Sequence, residues 1–142
     1  MPSPLSLYKD NAILSASPAR LLTMLYDRLL LDLNCAKDAL DTGDNRIVTY
    51  RLKHAGDVVA ALAGSLKVDV WDGAEGLLGI YMYVSNAIVR ATIYRDVNLV
   101  QECADILEPL RQAWHQAADS LTSAPAWETS TATSSEKMCV VA

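Results

Sequence analysis

Few side chains in this sequence are spaced for metal or redox chemistry. The two histidines are His54 and His115, and neither is followed three or four positions later by a second histidine or a cysteine. A helix that holds a metal needs such pairs, and no Glu-x-x-His pair suggests a di-iron bundle. The three cysteines, Cys35, Cys103 and Cys139, are widely separated and form no zinc or redox pair. These residues predict a protein without a metal or other cofactor.

Acid–base and nucleophilic catalysis have no better candidates. The aspartates fall at spacings typical of solvated helix faces rather than of a catalytic pair, and they include Asp27, Asp32, Asp38, Asp57 and Asp105. Serine, histidine and aspartate all occur, but no nucleophile elbow does. Gly73, Gly76 and Gly79 recur at helical spacing and form no phosphate-binding loop. The sequence therefore predicts a protein that is not an enzyme.

Four amphipathic segments carry these residues. The first begins with Ser17 as N-cap and Pro18 at the first helical position, and it ends at the turn 42–44. The others cover residues 48–66, 77–91 and 99–121, with apolar residues at every third or fourth position. Pro109 predicts a bend in the last segment or, less readily, a break into two helices. Short connections make neighbours antiparallel, so we expect an all-α, up-down four-helix bundle.

The composition divides the chain into three parts. We expect residues 1–16 to be a short N-terminal tether or cap and residues 17–122 to be the bundle. Residues 123–142 are rich in Ser, Thr and Ala, bury too little to offset the entropy of ordering, and are expected to be a disordered tail. The start shows no secretion signal and no apolar run approaches the roughly 18 residues of a membrane span, so a cytosolic location is predicted.

Charge and chain-end patterns argue against two classes of partner. The net charge is −5, which disfavours nucleic acid and anionic membranes because both attract clustered Lys and Arg. Residues 139–142 match the C-a-a-X prenylation pattern, but no polybasic stretch supplies the second signal that stable anchoring takes. We therefore expect neither nucleic-acid binding nor membrane insertion.

Three motifs resemble those of a known family. Within residues 8–27 the chain reads Tyr-x-x-Asn-x-Ile-Leu-x-Ala-Ser-Pro and then Leu-x-Met-Leu-Tyr-Asp, which is similar to the start of the FliS family of flagellar secretion chaperones. Residues 80–84, Ile-Tyr-Met-Tyr-Val, resemble that family's Leu-Tyr-x-Tyr-Met, and residues 110–114 resemble its closing Leu-Arg-x-x-Trp. The resemblance implies a small cytosolic helical bundle that binds the disordered C-terminal segment of flagellin. It also implies that the protein prevents premature polymerisation and assists delivery to the flagellar type III export apparatus, without a cofactor.

Apolar residues beyond one core stripe supply candidate contacts for such a partner. The first helix is apolar over more than one face, which predicts grooves between helices that could receive a partner segment. The candidate partner-binding residues are Tyr8, Asn11, Ile13, Leu14, Leu22, Leu25, Tyr26, Leu29, Tyr81 and Tyr83. Core packing competes with binding at these positions and is favoured for Leu25 and Leu29. We further expect Ile13 and Leu14 to cover an apolar groove when no client is bound.

A second interpretation uses the same surfaces differently. The chain could be a homo-oligomeric structural bundle whose apolar faces pair with a second copy, and a homodimer is compatible with either interpretation. The sequence leaves the stoichiometry open.

Overall fold

The computed structural model describes residues 17–67, 69 and 71–122, which contain four α-helices and no strand. The helices are α1 (Pro18–Thr42), α2 (Asn45–Ser65), α3 (Ala74–Tyr94) and α4 (Val97–Thr122). α1 packs against α2 and α4, and α3 closes the ring by packing against the same two helices. Short connections join successive helices, so neighbours run antiparallel. The predicted all-α four-helix bundle is confirmed, whereas the predicted tether (1–16) and disordered tail (123–142) lie outside the described residues.

Local residues set the first two helix boundaries. The Ser17 hydroxyl accepts a hydrogen bond from the Arg20 backbone N–H at 3.2 Å, as an N-cap does. Gly43 ends α1 with a φ of 78°, a left-handed conformation that glycine adopts at little cost. The Asp44 side chain then accepts from the Ile47 N–H at 3.2 Å and starts α2. One short turn therefore reverses the chain and fixes where α2 begins relative to α1.

All four helices contribute to one hydrophobic core. It is built mostly from buried aliphatic side chains of all four helices, including Leu29, Leu33, Leu52, Val59, Val84 and Leu107. α4 continues unbroken through Pro109, so the alternative of two shorter helices is wrong. Missing one backbone donor does not end a helix whose apolar stripe continues to pack on α1 on both sides of the proline.

A buried ion cluster joins α1 to α2. Asp32 has no exposed surface, and Arg51, which is 3% exposed, donates a hydrogen bond to it at 3.1 Å. His54 donates to the second carboxylate oxygen through Nδ1, and Arg28 approaches to 3.9 Å. The expectation that Asp32 lies on a solvated face is wrong, because cations from both helices surround the carboxylate and offset its loss of water.

By length and composition alone, α3 is the one helix among those described that could cross a membrane. Its 21 residues include only two charged side chains, Glu75 and Arg90. One such helix is weak evidence for a membrane protein, since a helix from a packed core meets the same criterion. Several apolar side chains of α3 are nevertheless exposed, among them Met82, Val89 and Ile93.

Candidate partner-binding groove

One end of the bundle is open and apolar. The start of α1, the end of α2, the start of α3 and Trp114 of α4 surround a groove of about 530 Å³, here called the terminal groove. Its lining is mostly leucine and aromatic side chains: Pro18, Leu21, Leu22, Leu25, Leu62, Ser65, Leu66, Lys67, Trp71, Leu77, Tyr81 and Trp114. Lys67 is the only charged residue among them. Such a surface can bury apolar side chains of a second molecule and offers little for charge recognition.

A buried aromatic cluster forms the floor of the terminal groove. The Tyr26 and Tyr81 hydroxyls are 2.7 Å apart and share a hydrogen bond, and the Trp114 ring centroid lies 6.3 Å from that of Tyr26. Burial is the main cause that raises the pKa of both tyrosines above the ordinary value. Both phenols therefore stay neutral over the physiological pH range. Each of the three sequence motifs contributes one ring, so the motifs meet in space at this floor.

Trp71 forms one rim of the groove in the connection between α2 and α3, and Gly73 of the same connection lies against its ring. Trp71 is 50% exposed, and its ring packs edge-on against Trp114 with centroids 6.4 Å apart. A Cβ atom at Gly73 would lie 2.5 Å from the Trp71 ring, so this indole position requires glycine there. Sequence reasoning left Trp71 out of the candidate site. An exposed tryptophan two residues before a glycine in a short connection was the available signal.

An ion network holds α1 against α4 beside the groove. Arg111 donates to Asp27 at 3.0 Å and to Glu108 at 2.9 Å. The Asp27 carboxylate also lies 2.7 Å from Nε2 of His115. The Arg111 guanidinium lowers the pKa of Glu108 below its ordinary range. Asp27 and Arg111 belong to the first and third motifs, so these motifs are linked by charge as well as by the aromatic floor.

The predicted site residues fall into several groups. Leu22 and Leu25 are partly exposed and line the terminal groove together with Tyr81, which is 2% exposed. Tyr26 and Leu29 have no exposed surface, so no partner could touch them unless the bundle opened, and their observed role is packing. The remaining predicted residues are elsewhere: Tyr83 lies outside this groove and donates a hydrogen bond to Glu102, while Tyr8, Asn11, Ile13 and Leu14 lie outside the described residues.

Little in the described part of the chain indicates a metal site or a catalytic nucleophile. No group of three or more His, Cys, Asp or Glu side chains is close enough there to hold a metal ion. Cys103 is a free buried thiol, and burial is the main cause that raises its pKa to about 11, which makes it a poor nucleophile at neutral pH. What the described arrangement can do is bind apolar side chains at one end of the bundle.

Comparison with known proteins relates this fold to a functional class. Residues 1–121 match the family described as FliS, flagellar protein FliS. The flagellar secretion chaperone FliS of Bacillus subtilis (strain 168) is 25% identical over 83% of this chain and 88% of its own. That of Vibrio cholerae serotype O1 is 27% identical over 75% of this chain and 79% of its own.

A solved structure supports the same relationship at the level of the fold. A crystal structure of a bacterial flagellar chaperone superposes with a TM-score of 0.67 at 18% identity, covering 83% of this chain and 99% of the other. The resemblance seen in the three motifs is thus confirmed over most of the chain. The chain therefore belongs to the FliS family of flagellar proteins, which is a family of secretion chaperones and not of enzymes.

Proposed function

We propose that this chain is a cytosolic export chaperone that binds the disordered C-terminal segment of flagellin in the terminal groove. Binding would keep flagellin from polymerising before export and would assist its delivery to the flagellar type III export apparatus. The single observation that supports this role is an apolar groove of about 530 Å³ left open at one end of the bundle. The relatives named flagellar secretion chaperones support the same class of client.

The lining of the groove indicates how a client would be held. Leucines from α1, α2 and α3 offer apolar area, worth roughly 25 cal/mol per Å² buried, less the cost of ordering the client. Trp71 adds a large exposed aromatic surface that the client would cover. Aromatic side chains of this kind are often the anchors of a binding interface. Because Lys67 is the one charged lining residue, the affinity should change little with salt.

Direct binding tests this proposal. Calorimetry would measure the affinity for the last roughly 40 residues of flagellin from the same organism, a length suited to a client that wraps a large surface. Leu22→Glu places a charge in the groove and should weaken binding at least about tenfold, because a charged side chain is costly to bury. Leu121→Glu is the matched control, since Leu121 is 76% exposed and lies outside the lining. Equal affinity of the two variants would exclude the groove as the binding site.

We also propose that the N-terminal tether covers the groove when no client is present. Pro18 lines the groove, so residues 1–16 join the bundle at its edge. Leu14 is three residues before Ser17 and, in an extended chain, within roughly 10 Å of it. Deleting residues 1–15 should raise client affinity, aggregation or both. If neither changes, the tether has no such role.

A further inference from the structure

The aromatic floor of the terminal groove holds more hydrogen-bond donors than it can satisfy by itself. Tyr26 and Tyr81 contribute one O–H each, but the two hydroxyls share one hydrogen bond of 2.7 Å. One phenol proton is therefore left over, whichever hydroxyl donates. The N–H of the Trp114 indole is also buried, and it has no hydrogen-bond partner in the part of the chain that the structure describes. An unpaired buried donor is costly, so the floor calls for an acceptor from another molecule.

The phenol proton that is left over belongs to Tyr81. If Tyr81 donated the shared hydrogen bond, the proton of Tyr26 would be left without an acceptor at a residue that has no exposed surface. If Tyr26 donates instead, the proton of Tyr81 is left over, and Tyr81 lines the terminal groove. Burial raises the pKa of Tyr81, so the phenol keeps this proton at physiological pH. Tyr81 therefore offers the groove one hydrogen-bond donor.

The acceptor that fits this donor is a neutral carbonyl oxygen. Lys67 is the only charged lining residue, so a carboxylate in the groove would find little to offset its loss of water. A disordered client brings one main-chain carbonyl with every residue, and a carbonyl that enters an apolar groove must exchange water for another donor. The carboxamides of Asn and Gln carry the same kind of oxygen.

We propose that Tyr81 donates a hydrogen bond to an amide carbonyl oxygen of the client and so makes the terminal groove selective. This inference rests on the proposed function, because it needs a client in the groove. In the complex Tyr26 donates to Tyr81 and Tyr81 donates to the client, so both phenol protons are used. A segment of equal apolar area that lacks an acceptor at this point would leave the Tyr81 donor buried and unpaired. Its affinity should be lower by roughly five- to a hundredfold.

Selectivity needs such a group because the rest of the lining has little of its own. Leu22, Leu25 and Leu77 can bury apolar side chains of many shapes, and Trp71 offers a broad aromatic surface. An apolar site discriminates weakly between apolar ligands, whereas a site with a buried hydrogen-bonding group rejects a ligand that leaves that group unpaired. The hydroxyl of Tyr81 therefore adds a requirement that the leucines cannot impose.

Two single substitutions separate recognition from folding. Tyr81→Phe and Tyr26→Phe each remove one oxygen atom and break the same 2.7 Å hydrogen bond, so they should destabilise the bundle by similar amounts. Tyr81→Phe also removes the donor at the groove and should raise the dissociation constant for the flagellin segment at least about fivefold. Tyr26→Phe leaves the Tyr81 proton in place, so it should raise the dissociation constant by a clearly smaller factor.

The variant with Phe at both positions keeps the test valid if one single variant folds poorly. It leaves neither hydroxyl unpaired, yet it lacks the donor at the groove. Its affinity for the flagellin segment should therefore be as low as that of Tyr81→Phe alone. Calorimetry of the four full-length proteins against the flagellin segment measures the dissociation constants, and urea unfolding of the same proteins measures the cost to folding.

Exchanging each Asn and Gln of the flagellin segment for Leu identifies the acceptor. If one exchange removes the difference between the parent chain and Tyr81→Phe, the acceptor is that side chain, and if none does, it is a main-chain carbonyl. Equal affinities of the parent chain and Tyr81→Phe, with Leu22→Glu still weakening binding, would overturn this inference and leave the proposed function standing. A segment that does not bind, or whose binding ignores Leu22→Glu, would overturn both.

Discussion

At the scale of single residues, Gly73 controls the position of the Trp71 indole. The glycine has an ordinary helical φ of −79°, so its backbone would accept any residue. What excludes a side chain is the Trp71 ring, which would be 2.5 Å from a Cβ atom. The rim of the terminal groove therefore depends on a missing methyl group rather than on backbone freedom.

Gly73→Ala should move the Trp71 indole while leaving the bundle folded. We expect the near-ultraviolet circular dichroism to change and the affinity for the flagellin segment to fall several-fold, because the rim loses its aromatic contact with Trp114. Gly76→Ala is the control, since nothing lies within 4 Å of its added Cβ atom. An unchanged spectrum would show that Gly73 does not set the indole position, and a changed spectrum with unchanged affinity would show that Trp71 is not part of the binding surface.

The Tyr26–Tyr81 hydroxyl pair should show strong coupling. Tyr81→Phe leaves the buried Tyr26 hydroxyl without its 2.7 Å partner and should cost about 1–3 kcal/mol in the free energy of unfolding. Tyr26→Phe together with Tyr81→Phe removes both polar groups and should cost clearly less than the two single changes added together. Urea unfolding of the four proteins measures this, and additive costs would mean that the two hydroxyls do not depend on each other.

At the scale of elements, the ion cluster around Asp32 joins α1 to α2. The side chains around the carboxylate come from both helices, and the carboxylate itself has no access to water. A buried carboxylate is tolerated only where its partners are correctly placed, so the cluster favours one register of α1 on α2.

Asp32→Asn should therefore destabilise the bundle by about 3–5 kcal/mol, because it removes the carboxylate that faces buried Arg51. Asp38→Asn, at an exposed position of the same helix, should change the free energy of unfolding by less than about 0.5 kcal/mol. Urea unfolding of both variants provides the comparison. A small effect at Asp32 would show that the cluster is not a determinant of stability.

The sequence was sufficient to predict the four helices, but it was not sufficient to predict much of the candidate binding groove. Ser17, Gly43 and the apolar spacing act within one or two helical turns, so the helix starts and stops could be predicted. Asp32, Trp71 and Trp114 depend on residues that are distant in the chain, and periodicity alone does not show which side chains meet. For the same reason the three predicted contact tyrosines that the structure describes divide into a buried pair, Tyr26 and Tyr81, and an exposed Tyr83.

At the scale of the whole molecule, the two buried tyrosines of the aromatic floor should make the free energy of unfolding fall at alkaline pH. Burial raises the pKa of Tyr26 and Tyr81 in the folded state, so folding favours their neutral forms. Their contribution is fully present below the unfolded-state pKa of about 10 and is lost as the pH rises from there towards the folded-state values.

The urea midpoint should therefore fall between about pH 10 and pH 11.5, while these two tyrosines cause no such change between about pH 8 and pH 9.5. The variant with Phe at both positions lacks these phenols and should lose less stability over the upper range, whereas other titrating groups act equally in both proteins. An identical alkaline decline in the two proteins would show that the buried phenols do not cause it.

Because an even number of antiparallel helices brings the chain back to the end where it began, Pro18 and Thr122 belong to the same end of the bundle. Thr122 lies eight residues beyond Trp114, roughly 12 Å along α4. A protein domain fused directly before Pro18 or directly after Thr122 would thus lie at the same end of the bundle as the terminal groove. The Gly43–Asp44 reversal lies at the opposite end, so a small reporter on an exposed side chain next to it, such as Asp41, would leave the groove end clear without disturbing the two helix caps.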